Sequence, residues 1–462
     1  MAPAPPNRPN LQSVATINRD GSRCFPHPSD VSGRFTRARR LTGTLLIAVY
    51  VLLPWIPLNG HPAVLLDVTA GRFHLFGATL LVQDLWLLFF LVSGIGFSLF
   101  YVSALLGRIW CGWACPYTVF LDHVFRRIER TIEGDAPARR RLDAAPWTPR
   151  KIALRALKHT LFALCALAIA HVGLSYFIPL SQLYAYLHHS PLHHAAIFTG
   201  VTLYATALYF CFAWFREQFC IVLCPYGRLQ SALTDDDTLV IGYDHQRGEP
   251  RGKSTQPNLG HCIDCQRCVH VCPTSIDIRN GLQMECIGCA ACIDACDSIM
   301  DKLQRPRGLI RYDSLRGLSG QPRRLIRPRI VLYTALLLLG AAVLSWGLTR
   351  VHSFEMSLVR LRGLPYLADP GHIRNQFTLR LLSKNDQPTT FHVSTENAPP
   401  SLTLSGLGET LTVPGGSQLQ QTLMLSIDRA TYRGPFKFTI AATPDAGGPT
   451  LRREVAFLGP DS

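Results

Sequence analysis

The sequence has no cysteine after Cys296, so the remainder of the 462-residue chain can hold no disulfide. Acidic residues are also scarce. There are 31 Asp and Glu against 46 Lys and Arg, a net charge of +15. Such an excess can mark a nucleic-acid binder, but its distribution argues against that. Basic residues are nearly missing from two stretches: 59–84 and 181–194 together hold one, Arg72. Residues 1–40 hold seven, 106–151 nine and 216–329 sixteen. This alternation is the charge asymmetry of membrane loops, whose basic segments stay cytoplasmic. A secretory signal peptide is not expected. A long polar, Pro- and Arg-containing stretch precedes the first apolar run, and no small-residue cleavage site follows it.

What the sequence has in plenty is apolar residues, 48% of the total. They come in long runs: Leu41–Leu58, Leu85–Leu105, Ile152–Leu180, Ala195–Phe215 and Ile330–Leu348. Each has about 18 residues or more, enough to cross a hydrocarbon core ~30 Å thick. Phe73–Val82 is too short to cross and reads as a loop or interfacial piece. The expected organisation is a multi-domain membrane protein with an α-helical bundle of five spans. Residues 1–40 are a flexible cytoplasmic N-terminus, 41–215 a membrane region with four spans, and 216–329 a cytoplasmic insert. Residues 330–350 are the fifth span, which places 351–462 outside. The basic segment Gln304–Arg329 reads as a linker whose arginines lie near anionic headgroups. Beyond Arg350 the pattern changes to short alternating runs, such as Phe377–Leu382, Leu423–Ile427 and Phe436–Ile440. About seven of them predict an immunoglobulin-like β-sandwich, read as a docking or structural domain.

Eight cysteines fall within the insert. They read Cys262-x2-Cys265-x2-Cys268-x3-Cys272-Pro273 and Cys286-x2-Cys289-x2-Cys292-x3-Cys296. This is the spacing of two-cluster ferredoxins, in which the fourth cysteine of each run serves the other cluster. The pattern therefore assigns Cys262, Cys265, Cys268 and Cys296 to one [4Fe–4S] centre. Cys286, Cys289, Cys292 and Cys272 go to a second, within a ferredoxin-like unit near 255–305. The bland alternative, a zinc site or fortuitous cysteines, does not account for eight residues in this register. Small residues Gly288, Ala290 and Ala291 leave room near the second cube, and Asp297 stands where proline is common.

A second feature is duplicated. Cys111-x3-Cys115-Pro116 follows the second expected span and Cys220-x3-Cys224-Pro225 follows the fourth. An i,i+4 spacing would put both sulfurs of a pair on one face of a helical turn. Proline favours the first helical position, so Cys115 and Cys224 are expected to cap helix N-termini. Arg108 and Arg216 could add to a thiolate-stabilising field. Four such thiols could form a soft-metal site or a dithiol pair, against the plainer reading of inert buried cysteines. Weaker candidates are His188, His189, His193 and His194, a possible copper-capturing loop. His159 and His171 come into consideration for haem, and Cys165 and Cys211 read as packing residues.

These residues resemble the CcoG/FixG/RdxA family of cytochrome c oxidase accessory proteins. The resemblance rests on Trp110-Cys-Gly-Trp-Ala-Cys-Pro116, Arg216-Glu-Gln-Phe-Cys220, Cys224-Pro-Tyr226 and Asp235-Asp-Asp-Thr-Leu239. Arg247-Gly-Glu-Pro-Arg-Gly252, Cys262–Pro273, Ile276-Asp-Ile-Arg279 and Glu285–Asp297 extend it. Ser275 departs from it, standing where the family usually has glycine. The resemblance implies a bacterial inner-membrane protein with a periplasmic C-terminal domain. It implies two [4Fe–4S] clusters and a part in assembling cbb3-type oxidase, with copper as substrate, reduced from Cu(II) to Cu(I). Cys111, Cys115, Cys220 and Cys224 are then the copper-handling thiols, and oxidase subunits or copper-delivery proteins the partners, with the electron donor unknown. A NapH/NosR-like quinol dehydrogenase or electron conduit, and a non-enzymatic assembly scaffold, are the competing expectations.

Overall fold

The computed structural model describes residues 25–252, 259–350 and 353–460, apart from single positions 362, 386, 409 and 446. The expected flexible N-terminus therefore lies outside the described residues as far as position 24, as do residues 253–258 of the ferredoxin-like unit. The described residues form two compact units. One takes them up to Ala78 and from Trp86 to Leu344, and the other comprises Thr79–Leu85 and the chain from Ser345 onward.

Among the described residues, four helical segments are long and apolar enough to cross a membrane: Leu85–Leu106, Pro149–Leu174, Pro191–Phe215 and Pro328–Thr349. Their outward faces carry bare apolar side chains, such as Phe89, Leu203 and Leu338, which suits contact with lipid rather than water. The fifth expected span is not among the four. Its helix runs Arg34–Leu52 and ends where Pro54 enters a tight turn. Arg34, Arg37, Arg39 and Arg40 occupy its first two turns. The apolar part that remains is roughly 18 Å long at 1.5 Å per residue, short of the hydrocarbon core. This helix is nonetheless pinned at both ends. The Asp294 carboxylate accepts from Phe35 N–H (3.2 Å) and from Thr36 N–H and Oγ1 (both 2.7 Å). At the other end Tyr50 Oη donates to Ile169 O (2.9 Å), and Tyr176 Oη donates to Tyr50 O (2.8 Å).

The segment Phe73–Val82 is not a loop. It contributes the short strands Arg72–Leu75 and Ala78–Leu81. The segment Gln304–Arg329 is not a linker either. Its residues Ile310–Asp313 pair antiparallel with Val240–Tyr243, so the chain on both sides of the cysteine runs closes one small sheet. Ile241, Tyr243, Ile278, Ile293, Met300 and Leu309 pack beneath it. Several arginines of this segment pair with the protein's own carboxylates. Arg311 holds Asp244 (2.7 Å) and Asp313 (2.9 Å), Arg316 holds Asp237 (3.2 Å), and Arg327 pairs with Asp235.

The second unit is a sandwich of two antiparallel sheets, as the alternating pattern predicts. One orders Thr403–Ser405, Gln418–Asp428, His372–Ser383 and Phe354–Arg360, with Leu367–Ala368 on the third. The other orders Thr410–Val413, Thr389–Glu396, Phe436–Pro444 and Leu451–Phe457. Phe377, Leu379 and Leu381 face Phe391, Phe438 and Phe457 across a dry core. Among the described residues nine strands replace the expected seven, because Phe354–Arg360 and Leu367–Ala368 add to the series.

Candidate functional site

Each cysteine run is shaped by the same backbone device. In the first, Asp264 and Gln266 flank Cys265 with φ of 54° at both. In the second, Gly288 and Ala290 flank Cys289 with φ of 67° and 60°. Residues in this left-handed region alternate with right-handed ones and turn successive N–H groups toward one point, a nest suited to negative charge. Gln266 and Ala290 then start the helices Arg267–His270 and Ala291–Lys302, which carry the third cysteine of each run.

The two runs enclose two cavities. Cys262, Cys265, Cys268 and Cys296 line one, with an empty volume of about 370 Å³. Cys272, Cys286, Cys289 and Cys292 line the other, of about 330 Å³, with Cys268 at its edge. These are the crossed-over sets that the spacing assigns. Backbone N–H groups of Gly288 and Ala291 donate to the Cys286 and Cys289 sulfurs. Burial pushes the Cys268, Cys286 and Cys296 thiols up to about 12. Without a cationic guest such sulfurs stay protonated. A cysteine-lined cavity with inward amides fits an iron–sulfur cluster, whose iron removes the cost of burying thiolates. Among the described residues, no group of three His, Cys, Asp or Glu is placed to hold a single metal ion.

The paired Cys-x3-Cys-Pro segments repeat one another closely. Cys115 and Cys224 are extended N-caps with ψ of 122° and 111°, each followed by proline in the first helical turn. Each N–H reaches back five residues, Cys115 to Trp110 O (2.9 Å) and Cys224 to Phe219 O (2.8 Å). The expected single helical turn is therefore broken. Cys111 lies inside Ile109–Trp113 and Cys220 inside Phe219–Leu223, and each chain turns before its second cysteine. The sulfurs still share one electrostatic environment. Burial pushes the Cys111 thiol up to about 12; Arg108 pulls it down, and Cys115 and Cys224 add to the rise. Cys220 is raised by burial first, then by Cys115, Cys111 and Cys224. Cys111 Sγ donates to the Oε1 of fully buried Gln230 (3.6 Å). These two thiols are thus protonated at neutral pH, and a metal has to displace their protons.

Arg108 acts on the thiols as expected, but Arg216 does not. The Arg216 guanidinium is buried and makes two bonds to Glu129, both 3.1 Å. Burial by itself would raise the Glu129 carboxyl, but Arg216, Lys158 and Arg139 hold it down at about 2. This pair anchors the backbone ahead of Cys220, where Arg216 has φ of 49° and its carbonyl accepts from Tyr117 Oη (2.7 Å).

The first thiol segment is in contact with the second cysteine run. Gly112 leaves no space for a side chain: a Cβ there would stand 2.6 Å from Ile287 O and 2.9 Å from Cys289 N and Cα. Gly288 faces Arg108 O in the same way, at 3.0 Å, so its smallness serves this contact as well as the cavity. Trp113 Nε1 donates to Tyr312 Oη (3.1 Å), which donates to Gly288 O (2.5 Å). Arg39 Nε donates to Gly112 O (2.5 Å), and its guanidinium pairs with Asp122.

Arg39, Glu129, Asp294 and Tyr312 were not among the residues singled out from the sequence. The two arginine-bearing segments had been counted as membrane-loop charge, and nothing local marks their partners. The histidine loop does not converge. The His189 ring lies 6.5 Å from His193 and 6.3 Å from His194, and His188 Nδ1 bonds its own helix at Tyr184 O (2.9 Å). His159 and His171 are likewise engaged, with Tyr209 Oη (2.9 Å) and Leu167 O (2.8 Å). Cys165 packs beside Phe162 and Phe212.

Residues 215–315 match the family described as "4Fe-4S dicluster domain", and residues 85–133 match "4Fe-4S binding domain". Residues 344–460 match the "IG-like fold at C-terminal of FixG". The chain is 37% identical over 387 residues to Protein RdxA of Cereibacter sphaeroides, covering 80% of this chain and 82% of that one. Protein RdxB of the same organism is 35% identical over 427 residues, with 87% and 89% covered. Nitrogen fixation protein FixG of Rhizobium meliloti is 33% identical over 420 residues, with 80% and 79% covered.

Proposed function

The chain belongs to the FixG/RdxA family, and from that premise we propose that it reduces Cu(II) to Cu(I) for the binuclear centre of a cbb3-type oxidase. It is a membrane iron–sulfur electron-transfer protein. The observation that carries the copper reading is the contact of Gly112 with Ile287 and Cys289. It sets two of four clustered thiols directly against the second cysteine run. Cys286, Cys289, Cys292 and Cys272 would hold one [4Fe–4S] cluster, and Cys262, Cys265, Cys268 and Cys296 the other. Such clusters supply one electron at a time.

The chain's own residues do the rest. Cys111, Cys115, Cys220 and Cys224 offer soft sulfur, which prefers Cu(I) over Cu(II) and favours the reduced product. Burial keeps Cys111 and Cys220 protonated until copper arrives, so an empty site is not a reactive dithiolate. Arg108 favours proton loss from Cys111 when the metal binds. Trp113 and Tyr312 hold the two segments in register.

The same reading places the protein in a bacterial inner membrane with five crossings. The Arg34–Leu52 helix would be the fifth, its short apolar part completed by leading arginines that reach toward the headgroups at the end held by Asp294. The C-terminal sandwich is then periplasmic and docks oxidase subunits or copper-delivery proteins. The test is anaerobic titration of dithionite-reduced protein with Cu(II), with Cu(I) followed by a chelator dye. The variant with Ser at 111, 115, 220 and 224 is run alongside. The expected result is Cu(I) formation in wild type and its loss in the variant at unchanged iron content. Equal Cu(I) in both sinks the thiol assignment.

A further inference from the structure

A third cavity, with an empty volume of about 510 Å³, opens where the Leu85–Leu106 span ends. Its walls are mostly apolar and include Leu106, Ile109, Ile241, Leu282, Met284 and Cys286. We propose that this cavity binds the ring of a membrane quinol and is where electrons enter the protein; the proposal rests on the electron-transfer reading above.

Three observations choose this occupant. Leu106, Leu282 and Met284 are 37, 45 and 55% exposed, so the mouth is apolar as well as the interior. An apolar mouth at the end of a span is reached most readily from the lipid. Second, Cys286 forms part of both this cavity and the second cysteine-lined cavity. An electron given up here has one residue to pass. Third, the few polar groups suit a ring with two hydroxyls. The polar side chains of the wall are Arg108, Gln230, Thr234, Gln283 and Tyr312, with no carboxylate among them.

The balance closes with the groups already assigned. Oxidation of one quinol to quinone releases two electrons and two protons. The two clusters assigned above take one electron each, and the protons leave to water. Two Cu(II) then become two Cu(I).

The test uses full-length protein in lipid nanodiscs and a photoreactive azidoquinone, read by mass spectrometry. Label is expected on residues 239–241 and 282–286. Decylubiquinone should suppress it, and dodecanoate of similar chain length should not. Leu282→Trp, which fills the mouth, should weaken labelling at least tenfold. Met284→Lys sits at an exposed position, tolerates folding, and should weaken it in the same direction. Competition by dodecanoate equal to that by decylubiquinone would make this an acyl-chain groove and overturn the proposal. So would labelling confined to other segments, or labelling unaltered in both variants. Failure of the copper reading shows separately, in the dithionite-driven Cu(I) assay, where quinone has no part.

Discussion

Gly112→Ala perturbs the contact on which the copper reading stands. The added methyl would lie 2.6 Å from Ile287 O and 2.9 Å from the backbone N and Cα of Cys289. Ordinary contact begins at 3.4 Å, so the segments must part by 3.4 Å less 2.6 Å, about 0.8 Å. Both neighbours are main chain, so no side-chain rotation relieves the clash. Arg39 and the Trp113–Tyr312–Gly288 bridge resist the movement. Overpacking of this kind costs about 1–3 kcal/mol. The displaced atoms belong to Cys289 itself. We therefore expect one of two EPR signals of dithionite-reduced protein to change, with iron content retained, and Cu(I) formation to slow several-fold. Gly94→Ala is the control. A methyl there meets nothing within 4 Å, and in a helix interior it gains up to about 1 kcal/mol. If the two variants match in both EPR and copper reduction, the contact has no functional weight and the reasoning fails.

Two further outcomes follow from the same structure. Glu129→Gln takes the hydrogen-bonded carboxylate from the buried Arg216 charge, leaving it only Glu217 at 3.8 Å, and should destabilise the membrane unit by about 3 kcal/mol, read as lost protease resistance. In wild type the depressed Glu129 carboxyl adds stability that is present above its unfolded value of about 4.3. That stability is lost as pH falls toward 2. Resistance measured from pH 6 to pH 3 should therefore decline more steeply in wild type than in the variant. Ser275 has φ of 59°, a conformation that costs a non-glycine residue about 1 kcal/mol. Ser275→Gly should hold or raise the thermal midpoint of the full chain; a clear drop would show that the hydroxyl matters more than the backbone.

The cysteine pattern was legible because ligand spacing is a local property of the chain. The proline after Cys115 and Cys224 marked two helix starts for the same reason, and strict alternation marked the sandwich. What stayed hidden is what depends on distant partners. Arg39 counted only as loop charge and Arg216 was expected to face the thiols, whereas they pair with Asp122 and Glu129. Nothing local says why residue 112 is glycine; it is small because the main chain of Ile287 and Cys289 occupies the space. The arginines of Gln304–Arg329 suggested lipid contact, but their carboxylates lie back at Asp235, Asp237 and Asp244. The first helix was legible only in part. A run of apolar residues implied a full span, and the basic turns ahead of it are part of the same helix.

The Asp294 carboxylate that receives the first helix lies 258 residues beyond Thr36. Considered in the order in which a chain is made, the helix is synthesised long before its cap exists. Its leading N–H groups must meanwhile be served by water or by the translocation machinery. The helix gains its final anchor only after the cysteine-rich segment has folded, and long-range closures of this kind are slow. Folding of the cysteine-rich segment and fastening of the first helix are then one event. A chain starved of iron during synthesis would carry a loose first helix, and quality-control proteases could recognise it there.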